Sequence, residues 1–212
     1  MLYVIALAGF TSEYPQASSD TVVILGDSLS AGYGLHADEG WVTLLTHRMV
    51  SSGYGQTIVN ASVSGETTTG GLSRIPRLLN LHHPKVVVLE LGANDALRGL
   101  PPQSIEDNLV AIGQLVLSSG ARLLLVGAPL PTNYGIEYAS SVSVAYRHAA
   151  HRLRASLVPS LIGGIETDEK NFQADHLHPV AAVQMQILDN IWLYLKPLLR
   201  KSSAAAGSSN GR

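Results

Sequence analysis

"KVVVLELGAND", Lys85–Asp95, decides how this chain is read. Its apolar residues run almost unbroken instead of alternating with polar ones. A strand with one wet face alternates, whereas a strand covered on both faces does not. The stretch therefore predicts an interior strand of a parallel sheet with helices on either side. "ARLLLVGAP", Ala121–Pro129, has the same character. Working outward, Thr21–Leu25, Thr57–Asn60, Lys85–Leu91 and Arg122–Gly127 are expected as strands, with the less apolar Ser156–Leu161 as a fifth.

Helical spacing fills the gaps. Trp41, Leu44, Leu45, Arg48 and Met49 fall on one stripe, where the Arg stem can lie along apolar neighbours. Ile105, Leu109, Ile112 and Val116 form another, behind a Ser104…Asp107 pair that resembles a capping box. Val180, Val183, Ile187, Ile191 and Leu195 predict the last helix, which Pro197 stops. Ser73–Asn80 is expected to be helical, with Pro76 limiting its start or kinking it. Alternating strands and helices over one domain length predict a three-layer α/β/α fold with a parallel sheet, spanning residues 20–199.

The composition narrows the function. The chain has 212 residues, 46% of them hydrophobic and 14% charged, with a formal net charge of −2 and no Cys. Such a chain is expected to be globular and lacks the basic face a nucleic-acid binder needs. Disulfides, thiolate catalysis and Cys-based metal sites are excluded. Leu2–Phe10 is apolar but too short to span a bilayer. Residues 1–19 read as a secretory signal or a loosely docked segment, although no Lys or Arg precedes the run and the cleavage pattern is poor. A signal would make the protein periplasmic or secreted; without one it would be cytoplasmic. Residues 200–212, rich in Ser, Ala and Gly, read as a disordered tail.

Ligands of parallel α/β sheets sit beyond the carboxyl ends of the strands, and the polar, helix-breaking clusters fall there. Strand one ends in Gly26-Asp27-Ser28, strand two in "NASVSGETTTGG" with Gly65, and strand three in "ELGANDALRG" with Asn94. Strand five leads to "QADHLHP" with Asp175 and His178. Ser28 needs an adjacent base to become a nucleophile near neutral pH. His178 is the natural base, and Asp175, three residues earlier, can orient it and balance the imidazolium. The Ser28 N–H, the Gly65 N–H and the Asn94 amide can supply an oxyanion hole. Each residue alone has a plainer reading as cap, turn or surface group; the set on separate strand ends carries the catalytic one. Leu97, Leu100, Leu130, Pro131 and Tyr134, after strands three and four, are expected to line an acyl groove or else to pack their loops.

"GDSLSAGYG", the Gly of "NASVSGETTTGG", the Asn of "LGANDALRG" and "DHLHP" resemble the four sequence blocks of the SGNH (GDSL) hydrolases. "GWVTLL", "LPTNYG" and "YLKPLL" are similar to the bacterial thioesterase I/protease I/lysophospholipase, or arylesterase, subgroup. The resemblance covers Thr21 to Leu199. It implies a flavodoxin-like sheet of five parallel strands, Ser28 as nucleophile, His178 and Asp175 completing a triad, and Gly65 and Asn94 with the Ser28 amide as oxyanion hole. It also implies metal-free hydrolysis of acyl thioesters, lysophospholipids and aryl or short-chain esters, by a protein usually exported to the periplasm. No cofactor is expected, and the chain is expected to be a monomer. One departure is His176, where the family commonly has Gly; if that position takes a positive φ, His is a strained choice.

Three other readings compete. Asp175, His176 and His178, joined by His148 and His151, could ligate zinc, although the latter pair also reads as a polar helix face. The 26–34 loop could cradle a phosphate, but it lacks the P-loop Lys-Ser/Thr and the G-x-G-x-x-G pattern. An α/β-hydrolase elbow would need Gly where Ser30 stands.

Overall fold

The computed structural model describes residues 20–128, 130 and 134–201. The expected signal, residues 1–19, lies outside the described residues, as does the expected tail beyond Lys201.

Five strands form one parallel sheet: β1 (Thr21–Gly26), β2 (Thr57–Asn60), β3 (Val86–Glu90), β4 (Arg122–Val126) and β5 (Ser156–Val158), in the order β2-β1-β3-β4-β5. β1 pairs with β3 from Val22↔Val86 to Gly26↔Glu90. The unbroken apolar runs are explained by two cores, one on each face. Val22, Ile24, Val86, Val88, Leu124 and Val126 meet α2 (Trp41–Ser51) and α7 (Gln184–Leu195). Their odd-numbered neighbours Val23, Leu25, Val87, Leu89, Leu123 and Leu125 meet α3 (Thr68–His82), α5 (Pro102–Ser118) and α6 (Ile136–Leu153). The three-layer fold expected from the sequence is the one observed.

β1 is followed on one side of the sheet by β2 and on the other by β3, so the chain reverses direction across the sheet between β1 and β3. That switch point opens a crevice at the carboxyl edge. The two short helices α1 (Ser28–Ala31) and α4 (Ala93–Leu97) start beside it.

The sequence placed some boundaries poorly. β5 is only three residues long, and α7 begins at Gln184 after a 3₁₀ turn over Ala181–Val183. Helix α6 was legible only through His148 and His151, because its buried stripe of Val142, Ala145, Tyr146, Ala149, Ala150 and Leu153 is half alanine and gives a faint apolar signal. Pro76 does not limit α3, which runs from Thr68 to His82 with the proline inside. Burial of Leu72, Ile75, Leu78 and Leu79 against the core holds the helix through it. The cost is a missing N–H at position 76, whose side chain is exposed. Pro76→Ala is therefore expected to raise stability by about 1–2 kcal/mol, after allowing for the more flexible unfolded chain. Urea unfolding measures this, and a lower midpoint in the variant would contradict it.

Candidate active site

Ser28 opens α1 immediately after β1. Its Oγ lies 2.8 Å from His178 Nε2, and His178 Nδ1 lies 2.7 Å from Asp175 Oδ2. The D-x-x-H segment is a tight turn: Asp175 Oδ1 accepts the Leu177 and His178 N–H groups, each at 3.0 Å. Desolvation pulls the Asp175 carboxyl upward, but the His178 N–H, the His178 ring and the Leu177 N–H outweigh it and bring the pKa to about 2. The turn puts His176 at φ 56°, so the suspected strained position is a left-handed one. The turn is anchored to the loop after α1. Gln173 Nε2 donates to Tyr33 O, and the Tyr33 ring packs on His178 with centroids 4.5 Å apart. Neither Gln173 nor Tyr33 was picked out from the sequence, because both sides of this contact are loops without periodicity.

Gly65 and Asn94 face the same cavity as Ser28. Gly65 has φ 81°, and a Cβ there would meet nothing within 4 Å, so its conformation rather than crowding calls for glycine. Among the described residues neither the Ser28 nor the Gly65 N–H has an acceptor. The two loops are tied together beneath the cavity. Asp95, next to Asn94, accepts the Thr68 N–H at 2.8 Å and the Thr68 hydroxyl at 2.6 Å, and Arg98 Nη2 donates to Gly65 O. Asn94 Nδ2 donates to Asp27 Oδ2 at 3.0 Å.

The cavity holds about 710 Å³ and combines Ser28, Gly65, Asn94 and His178 with apolar walls from Leu29, Leu97, Leu130, Ile162 and Phe172. Leu97 and Leu130 thus stand where the sequence reading expected groove residues. Leu100 and Tyr134 do not line it. The chain turns at Gly99, φ 70°, before Leu100, whose carbonyl accepts from the Tyr138 hydroxyl; Tyr134 lies on the surface just before α6. Pro131 lies outside the described residues.

The rival chemistries fit the geometry less well. Both ring nitrogens of His178 are engaged by Asp175 and Ser28, while His148 faces Glu106 at 3.4 Å. Among the described residues no group of three acidic or imidazole side chains is placed to hold a metal ion. The N-terminus of α1 is already capped by the Asp27 carboxylate, which accepts the Leu29 N–H and disfavours a phosphate there. Ser30, in place of an elbow glycine, is buried with its hydroxyl on Glu90.

Two buried carboxyls lie under Ser28. Burial, opposed by the Leu29 N–H, by His178 and by the Asn94 amide, lifts Asp27 to a pKa of about 6. Burial and then the Asp27 charge push Glu90 well above the ordinary range. An acid raised on folding keeps its proton longer in the folded state. Its penalty is absent below the unfolded value near 3.8 and grows as pH rises through about 6. Asp175 has the opposite sign: its contribution is present above 3.8 and lost as pH falls through about 2. Asp27→Asn is expected to flatten the decline of unfolding free energy between about pH 4 and 6. Urea titrations across that range test this, and an unchanged slope would contradict it.

The sequence matches the GDSL-like lipase/acylhydrolase family over residues 24–184. It is 44% identical over 184 residues to esterase TesA of Pseudomonas aeruginosa, covering 87% of this chain and 92% of that protein. It is 40% identical over 187 residues to thioesterase 1/protease 1/lysophospholipase L1 of Escherichia coli, covering 88% of each. A crystal structure of the psychrotrophic esterase EstA from Pseudoalteromonas sp., inhibited by monoethylphosphonate, superimposes with a TM-score of 0.80 at 35% identity, over 84% of this chain and 97% of that one. The resemblance read from the four sequence blocks is thus borne out, and the chain belongs to the GDSL-like lipase/acylhydrolase family.

Proposed function

We propose that this chain hydrolyses carboxylic esters and thioesters through an acyl-enzyme on Ser28. The observation that carries the reading is the continuous hydrogen-bonded line from Ser28 Oγ through His178 to Asp175, at 2.8 Å and 2.7 Å, opening into an apolar cavity. Esterase and thioesterase relatives of nearly the same length support it.

In this mechanism the acyl carbonyl sits over Ser28. Nδ1–H of His178 is fixed on Asp175, which leaves Nε2 as the acceptor for the serine proton. With its carboxyl already far down the scale, Asp175 stays ionised throughout and balances the imidazolium. The tetrahedral oxyanion takes the free Ser28 and Gly65 N–H groups and the second N–H of the Asn94 amide. His178 then protonates the departing alcohol or thiol, water attacks the acyl-enzyme, and Ser28 is regenerated. The acyl chain lies against Leu97 and Leu130. No metal or cofactor takes part, and activity is expected to persist in EDTA. Among the described residues no helix is long and apolar enough to cross a membrane. Export to the periplasm and a monomeric state belong to the same reading, the former supported by the apolar run Leu2–Phe10.

Substitution separates the roles. Ser28→Ala should abolish turnover of a p-nitrophenyl ester while leaving the circular dichroism spectrum intact. Asn94→Ala should lower kcat by about 10²–10³. His178→Ala should be far more damaging than His176→Ala. Near-normal turnover in Ser28→Ala would refute the mechanism, and the reverse order of the two histidines would mean that the base is His176. A screen over acyl-CoA chain lengths, p-nitrophenyl esters and lysophosphatidylcholine would rank the leaving groups.

A further inference from the structure

Glu90 ends β3 with its side chain fully buried, and the mechanism above does not use it. Its Oε2 accepts the Ser30 hydroxyl at 2.6 Å and the Asp27 N–H at 3.3 Å. Its Oε1 is buried and meets no donor among the described residues. Nor does any Lys or Arg among the described residues pair with it. An ionised carboxylate so placed would leave a charged oxygen dry and unpartnered. A protonated carboxyl removes the difficulty, because Oε1 becomes a hydroxyl that donates rather than accepts.

Asp27 is the neighbouring carboxyl: its own N–H donates to Glu90 Oε2, and its charge acts on Glu90. The two carboxyls are not equivalent. Asp27 accepts the Leu29 N–H at Oδ1 and the Asn94 amide at Oδ2, and it feels the charge of His178 when the imidazole is protonated. Glu90 also accepts two hydrogen bonds, but both fall on Oε2 and leave Oε1 bare, whereas each oxygen of Asp27 has a donor, so the proton belongs on Glu90 and the negative charge on Asp27. The other groups facing the pair are the Ser30 hydroxyl from α1 and Tyr146 from α6, whose hydroxyl donates to Leu91 O; the Asp95 charge also acts on that tyrosine. Burial and the Asp27 charge act on Glu90 in the same direction.

We propose that Glu90 is a positioning residue: a protonated carboxyl held against the Asp27 carboxylate, which fixes Asp27 as a pure acceptor and so orients the Asn94 amide. The inference rests on the reading of Asn94 as an oxyanion donor. A carboxylate can only accept, so Nδ2 rather than Oδ1 of Asn94 must face Asp27, and its second N–H is left for the substrate oxygen. If the proton moved to Asp27, that side chain could donate to Asn94 Oδ1 and turn the amide over. If both carboxyls were ionised, a second negative charge would lie under the developing oxyanion and oppose it. The same arrangement accounts for Gly26, the first residue of the G-D-S sequence. A Cβ there would lie 2.7 Å from Glu90 Oε2 and 2.7 Å from Ser30 Oγ, in the space the buried carboxyl occupies.

Infrared spectroscopy of the full chain at about pH 8, far above the ordinary Glu value of about 4.3, tests the protonation directly. The wild type should show the carbonyl stretch of a neutral carboxylic acid, sensitive to deuterium exchange and missing in Glu90→Gln. With a p-nitrophenyl ester, Glu90→Leu should lose about 10–10² in kcat, less than removal of an oxyanion donor outright, with KM within about threefold. Glu90→Gln, which keeps one donor and one acceptor, should restore most of that loss. The spectral comparison does not depend on the leucine variant folding. Absence of the band in the wild type, its survival in Glu90→Gln, or an equal kcat loss in both variants would overturn the proposal. Fluorophosphonate labelling of the wild type keeps the two readings apart. Labelling on Ser28 without the band overturns the Glu90 proposal alone, whereas the band without labelling overturns the Ser28 reading and the positioning role with it.

Discussion

The contact between Ser28 Oγ and His178 Nε2 joins residues 150 positions apart in the chain. No local propensity can make it. It depends on β1 being a central strand, on the turn that exposes Ser28 at its end, and on the long connection after β5 returning over the same edge. That return is held by the Phe172–Pro179 bridge, by Gln173 reaching Tyr33, and by the Tyr33 ring against the imidazole. Loosening any of these would not unfold the core, but it would move a base by the ångström on which proton transfer depends.

Beneath that contact the protein tolerates polar groups that a stability-driven core would avoid. Asp27, Glu90 and Asp95 are all buried at the carboxyl edge. Asp95 is fully satisfied by Thr68 and joins the Gly65 loop to the Asn94 helix. The Asp27 charge is buried beside Glu90, and carrying it there penalises folding as pH rises through about 6. Such a concentration of costly groups at one edge, above two largely apolar cores, is the pattern of a site whose geometry is maintained at the expense of stability.

Much of this was legible in the sequence because two signals are strong. Continuous apolar, β-branched runs such as Val86–Leu89 read as strands covered on both faces, and the helix-breaking clusters after them fall at the carboxyl edge. Ser28, Asp175 and His178, and with them Gly65 and Asn94, could be named from those clusters, and the fold brings them together. What escaped depends on contacts between segments without periodicity. Tyr33 and Gln173 meet loop to loop, Leu100 turns away at a glycine bend, and Tyr134 stays on the surface. Glu90 escaped for a different reason: within "VVVLELG" it reads as one polar interruption of a strand, and only the pairing Gly26↔Glu90 and its bonds to Asp27 and Ser30 put its carboxyl under the turn that carries Ser28.

The central claim is that the acyl group passes through Ser28. Mixing the enzyme with a p-nitrophenyl ester, quenching in acid within the first turnovers and mapping the peptides by mass tests it most directly. The account predicts an acyl mass on the peptide containing Ser28, absent from Ser28→Ala and accumulating more when deacylation is slowed. An acyl group on another residue, or full turnover by a chain whose Ser28 never carries one, would contradict it.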